Sequence, residues 1–369
     1  MGVYRFIPII LVLTLTFGAG IAPAWSGTHA VSNLTKCLSH ILTEFIPTAQ
    51  LRELPTNSGF DSIRGAFEDL TRVKSLVEIP QIDAKRLINS EDWSKAILAN
   101  PKEPWLYYGR DTLTDWLSGL RYVNANADNL PLSSNLIKRI HQITSKHLTF
   151  HGFEGRRIRL LYDQGKISKD KFNELLRQAF KENKAVSEFD HNKLRGQYRS
   201  SQIDQISHNG SSFDAKGSRY FTKRELEAIR QNAYMKVDES SVVKIGPDAY
   251  EARAYYHDVK HVDKAVEIVL AVAQKKIEDA TSLETQVRAI IQMERDLISI
   301  HPFLDGNGRT VRLIGDLMYQ RLRLPPPLRP NEADLVMSMD EAYEYTRKNM
   351  IDYINERYLN QYQNERSNL

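Results

Sequence analysis

The 369-residue chain is 41% hydrophobic, enough to bury a sizeable core, which excludes a wholly disordered or low-complexity protein. Its 50 Lys and Arg against 46 Asp and Glu leave a formal charge of +4, without the basic excess that marks a nucleic-acid surface, so no nucleic-acid partner is expected. A single cysteine, Cys37, rules out an internal disulfide and leaves stability to the core.

In chain order, Met1 to Arg5 carries one positive charge and Phe6 to Ala24 none, a pattern that reads as a signal peptide over residues 1–24 with cleavage after Ala22-Pro23-Ala24. The product is then secreted, periplasmic or lumenal. An uncleaved signal anchor is the competing reading, and through it alone would the chain meet a membrane; Gly18, Gly20 and Pro23 favour cleavage. Acceptor sequons stand at Asn33 and Asn209 and matter where secreted proteins are glycosylated. Residues 25–123, broken by Pro47, Pro55, Pro80, Pro101 and Pro104, predict short helices that cap the next domain or dock a partner. Asn124 to Asp128 favours turns, which sets the start of a domain over 124–360.

Ser133 and Ser134 can cap a helix carrying Leu136, Ile137, Ile140 and Ile143 at helical spacing. A charged helical and loop insertion is expected around residues 150–230, with Ser207 to Ser218 as loop. Val242 to Tyr256 alternates around Gly246-Pro247 and predicts a short hairpin. Val262 to Ala273 and Val287 to Ile298 predict amphipathic helices. Another begins at Thr310 and is ended by Pro325-Pro326-Pro327. Glu332 to Tyr345 and Thr346 to Tyr358 read as two further helices, with a frayed tail at 361–369.

The most informative residues are His301 to Arg312, which read His-Pro-Phe-Leu-Asp-Gly-Asn-Gly-Arg-Thr-Val-Arg. Here lie a titratable imidazole (His301), a carboxylate suited to a hard cation (Asp305), an amide (Asn307), two glycines (Gly306, Gly308) and two guanidinium groups (Arg309, Arg312). Glycines admit close backbone approach, and a helix N-terminus adds N–H groups and a positive dipole end, so the segment makes an anion cradle. A hydroxyl nucleophile needs a base that titrates near neutrality, which points to His301. Mg²⁺ needs one or two carboxylates plus phosphate oxygens, which Asp305 and a polyphosphate supply. Arg309 and Arg312, three apart on one helix face, suit successive phosphates. Phe303 reads as a core anchor. Taken alone, Gly-Asn-Gly is a turn and His301 a packed residue. The eight positions together would arise by chance on the order of once in ten billion starting points.

The segment resembles the signature of the Fic family, His-x-Phe-x-(Asp/Glu)-Gly-Asn-Gly-Arg-x-x-Arg, without a departure. The resemblance implies an all-α bundle around a central motif helix, with a short β-hairpin flap upstream. It implies a protein adenylyltransferase that moves AMP from ATP, with Mg²⁺, to a protein Ser, Thr or Tyr hydroxyl. It further implies that Asn307 and the amides of Gly306 and Gly308 contact the transferred phosphate. Leu136 to Leu148 resembles the first family helix, and Gly196-Gln197-Tyr198-Arg199 matches a Gly-x-(Phe/Tyr)-Arg segment that follows it. By position Glu251 to His257 is the flap that would pair with an extended target, with Arg253 and Tyr255 on one face; ordinary loop competes equally. Many relatives repress themselves through (Ser/Thr)-x-x-x-Glu-(Gly/Asn). Thr149 and Glu154-Gly155 come nearest but are one residue too far apart, so repression is absent, comes from a separate inhibitor chain, or uses another helix. Two readings compete: a fold relative that transfers UMP, phosphate or phosphocholine, and a secreted nucleotide-binding interaction module.

Overall fold

The computed structural model describes residues 53–73, 80–87, 96–98, 110–147, 158, 161–162, 165–181, 195–199, 219–328 and 337–367. Helices α1 (Phe60–Val73), α2 (Pro80–Lys85), α3 (Arg110–Asn126), α4 (Ser134–Thr144) and α5 (Lys169–Lys181) come first. Strand β1 (Arg219–Phe221), helix α6 (Lys223–Gln231) and strands β2 (Lys236–Lys244) and β3 (Tyr250–Tyr255) follow. A short 3-10 turn at Val259–His261 leads into α7 (Val262–Glu278), α8 (Leu283–Ile300), α9 (Asn307–Arg321) and α10 (Met339–Ser367). The signal segment, Cys37, both sequons, Ser207 to Ser218 and the near-inhibitory residues 149–155 lie outside the described residues. Among the described residues no helix is long and apolar enough to cross a membrane.

α9 is the centre of a helical fold. Every residue from Leu313 to Tyr319 is buried, so this helix is enclosed all round instead of presenting one apolar stripe. It packs against α8, α4 and α3. Two glycines permit the approach. A Cβ on Gly119 of α3 would sit 2.5 Å from Leu313 and 2.7 Å from Thr144. One on Gly315 would collide with Glu294 of α8, which accepts the Tyr319 hydroxyl at 2.9 Å. α8 starts where Ser282 accepts the Thr285 N–H, and buries Val287, Ile290, Ile291 and Leu297 in the common core.

The same core takes in Phe60, Ile63 and Phe67 of α1, Trp116 of α3 and Met350 and Ile354 of α10. The boundary expected at residue 124 therefore falls inside α3, and side chains on both sides of it share one core. Tertiary burial of Val123 carries the helix through Asn124 and Asn126, and Asn126 bonds back to the Tyr122 carbonyl at 2.7 Å. α10 is likewise one helix through Ser367 where two and a frayed tail were expected; no Gly or Pro interrupts it. α5 falls within the expected insertion and has its own small cluster with Ile158, Leu176 and Ala179.

The expected hairpin forms from β2 and β3 and is closed by Ile245 and Gly246 N–H groups on the Ala249 carbonyl. β1 adds a third antiparallel strand, giving the order β1-β3-β2. Ala252 and Ala254 point into a second apolar cluster with Phe221, Leu226 and Ile229, and α6 is fixed over it by a Thr222–Glu225 capping box. The Glu251 to His257 segment thus holds most of the central strand: β3 pairs with β1 along Tyr250 to Ala252 and with β2 at Tyr250, Glu251 and along Arg253 to Tyr255.

Candidate active site

Two left-handed residues form the joint between α8 and α9. Gly306 begins α9 at φ 76, ψ 7, and a Cβ there would lie 3.4 Å from the His141 ring. His301 ends α8 at φ 52, ψ 62, a conformation that costs a side-chain-bearing residue on the order of 1–2 kcal/mol. Arg199 holds it there. Its Nε donates to the His301 carbonyl at 2.9 Å, its Nη2 to the carbonyls of His257 and, at 3.3 Å, Ile300, and its backbone N–H to Pro302 O at 2.8 Å. The His301 ring stacks on Tyr256, centroids 4.0 Å apart and planes 20° from parallel, with Nδ1 buried. The hairpin therefore sets where the imidazole lies.

Asp305 sits four residues on. Its Oδ1 accepts the Gly306 N–H at 2.6 Å, and its backbone carbonyl faces His141 Nε2 at 3.0 Å. His141, buried on α4, accepts the Gly196 N–H at Nδ1 (2.9 Å), so Nε2 carries the proton and donates to Asp305. Its ring lies flat on Phe303 at 3.8 Å and 4°. Phe303 is the core anchor expected, with Tyr198 tilted against it at 5.3 Å and the Tyr198 hydroxyl 2.9 Å from Ser134.

Asn307, for which the resemblance implies a phosphate contact, is bonded within its own loop. Its Oδ1 accepts the Phe303 N–H at 2.8 Å and its Nδ2 donates to the Phe303 carbonyl at 2.7 Å, so the buried amide clamps the loop shut. Gly308 lies in the first turn of α9, which starts three residues before the Thr310 expected. Arg309 donates to the Thr144 carbonyl at 2.9 Å, and Arg312 to the carbonyls of Arg86 and Leu87 at 3.2 and 3.3 Å. Each guanidinium is thereby aimed by a different segment. Arg253 is exposed and pairs with Asp238 at 3.1 Å, and Tyr255 shares its face of β3, opposite Ala252 and Ala254.

Charge around the joint is set by burial. Burial pulls Arg199 below the usual guanidinium range, opposed by Asp258 and Tyr256. Burial also lowers the His257 imidazole, reinforced by His261 and Arg199 and opposed by Asp258. Behind α9, Arg86 and Asp316 form a fully buried ion pair, and Arg86 also donates to Pro327 O at 3.0 Å. Burial, the larger influence, raises the Asp316 carboxyl above the usual carboxylate range, opposed by the Arg86 guanidinium in direct contact.

His301, Asp305 and Gly306 lie at one joint between α8 and α9, and His141, Tyr256 and the Arg86–Asp316 pair, which the sequence did not single out, surround it. His141 carried no signal, standing beside Ile140 in an ordinary amphipathic pattern, whereas Gly196 to Arg199 did.

A helical fold whose buried central helix opens on a His-Asp-Gly joint defines a protein built to present an imidazole and a carboxylate at a helix N-terminus. Residues 220–319, which contain this joint, match the model of the Fic/DOC family. Among solved structures the chain is similar to a substituted form of Fic-1 from C. elegans, at 13% identity and TM-score 0.40 over 92% of this chain and 80% of that one. It is similar also to a Fic domain containing signaling protein from Bacteroides thetaiotaomicron, at 11% identity and TM-score 0.41 over 80% and 92%. The unsubstituted Fic-1 matches at 12% identity and TM-score 0.33 over 92% and 79%. No curated protein sequence matches.

Proposed function

We propose that the chain is a protein adenylyltransferase that moves AMP from ATP to a Ser, Thr or Tyr hydroxyl of a target protein. The observation that carries this reading is the His301 imidazole, fixed by Tyr256 and Arg199 at the same joint as the Asp305 carboxylate and the start of α9. With Nδ1 buried, Nε2 is the nitrogen that meets the target hydroxyl. His301 takes the hydroxyl proton as oxygen attacks the α-phosphorus, a new P–O bond forms, the bond to the β-phosphate breaks, and pyrophosphate leaves.

The first-turn N–H groups of an α-helix have no intrahelical partner, and Gly306 brings no side chain to cap them, so Gly306, Gly308 and their neighbours suit a phosphate oxygen. Arg309 and Arg312 bind the remaining phosphates and balance their charge. Asp305 suits Mg²⁺ as a single carboxylate donor whose orientation is set by the Gly306 N–H. The ion, when bound, neutralises charge on the phosphates. Arg253 and Tyr255 would meet the target from the exposed face of the hairpin. Export through the N-terminal segment, and repression by a separate chain, belong to the same reading.

The test supplies ATP labelled at the α- or the γ-phosphate to wild type and His301→Ala, with self-modification as the proxy target. Transfer of α label that vanishes in the variant is expected. Transfer of γ label alone would reassign the protein as a kinase, and nucleotide binding without covalent label would make it a binding module.

A further inference from the structure

A second cluster of chemistry lies outside the motif. A cleft of about 480 Å³ opens between α3, α4, the turn after α4 and Arg195. At its base the Asp115 carboxylate is buried, its side chain 3% exposed, with both oxygens committed to one residue: Oδ2 accepts the His147 N–H and Oδ1 faces His147 Nδ1, each at 2.7 Å. Burying a carboxylate costs several kcal/mol unless its partners repay it. Here the result is one ring orientation, with Nδ1 donating to the acid and Nε2 directed away from it. Arg139, Lys146 and Arg195 stand around this histidine, and Asp115 is the one acid lining the cleft. Among the described residues none of these three cations sits in an ion pair; Arg139 is steadied by the Gln142 amide at 2.7 Å, and Arg195 Nε is buried without a hydrogen-bond partner.

Ordinary basic surface accounts for exposed Lys146. It does not account for a buried acid committed to orienting one histidine, nor for a buried guanidinium nitrogen left unsatisfied, which costs about 1–3 kcal/mol. The cleft also touches the motif supports. Arg195 precedes Gly196, whose N–H holds His141, and Lys146 follows Thr144 by two residues, whose carbonyl holds Arg309.

We propose that this cleft is an effector site for a small phosphate-bearing anion, bound by Arg139, Lys146, Arg195 and His147, and that its occupancy tightens the Gly196–His141 support of the motif loop. The inference does not depend on the reaction catalysed at His301.

Inorganic pyrophosphate without Mg²⁺ is the probe, and ¹⁵N-labelled histidine rings are the readout, with His147 assigned by its loss in His147→Gln. The experiment runs in Arg312→Ala to weaken binding at the motif. The His147 ring signal is expected to move saturably, and added Lys146→Ala or Arg195→Ala to weaken the apparent affinity about 10- to 100-fold, the range of a lost charged contact. Exchange of the Gly196 amide should slow by a comparable factor at saturation. Thermal unfolding checks that each variant is folded; Arg195→Gln replaces Arg195→Ala if it is not. A His147 signal unmoved at saturating pyrophosphate, or moved equally in the cleft variants, overturns the site. Unchanged Gly196 exchange overturns its effect on the loop.

Discussion

Arg199 ties the Gly196–Arg199 segment to the carbonyls of His257, Ile300 and His301, so Arg199→Ala exposes how far the motif loop depends on it. The bond to Ile300 O, at 3.3 Å, is long and contributes least. The other two leave the carbonyls of His257 and His301 without a charged donor, at about 1.5–3 kcal/mol each. A loss of about 3–6 kcal/mol follows, a large share of a typical 5–15 kcal/mol. Arg199→Lys keeps the charge, but an ammonium cannot fork between carbonyls of two segments, so roughly half the loss remains. Urea unfolding followed by tryptophan fluorescence measures it: the midpoint should fall in the order wild type, Lys, Ala, with an unchanged slope. Label transfer should fall in Arg199→Lys even under conditions where the protein stays folded, because His301 then leaves its left-handed conformation. An Ala variant with the wild-type midpoint, or a Lys variant with full stability and activity, would refute the role assigned to this guanidinium.

Three further outcomes follow from the same geometry. His141→Ala removes two hydrogen bonds and the stack on Phe303 and should cost about 2–4 kcal/mol in chemical denaturation, with His141→Gln recovering part of it. Asn307→Asp sets a carboxylate against the Phe303 carbonyl, so thermal unfolding should drop by the equivalent of about 1–3 kcal/mol; a variant that loses ATP affinity at unchanged melting temperature would restore the phosphate contact. Burial lowers the His257 pKa, so the unfolded chain binds the proton more tightly and the native state loses stability as pH falls below the ordinary histidine value near 6.5. Melting temperature measured between neutral and mildly acidic pH should therefore fall less in His257→Gln than in wild type.

The core faces of α7 and α8 and the hairpin were legible in the sequence, because each rests on local spacing or local chemistry. The Ser133 cap of α4 is local in the same way. The Asn307 clamp on Phe303 was not legible, because it depends on Phe303 folding back within one loop, which residue type alone does not reveal. α3 overran the expected boundary because burial of Val123 outweighs the turn preference of two asparagines.

Residue identity along the chain determined which groups could do the chemistry: an imidazole, a carboxylate, two glycines and two arginines within twelve positions. Tertiary structure alone decided what holds them. His141 reaches Asp305 across 164 positions, Arg199 reaches His301 across 102, and the Arg86 carbonyl reaches Arg312 across 226. Hydrogen bonds and ring stacking act over a few ångströms of space and are indifferent to chain separation, so no periodicity or spacing records them.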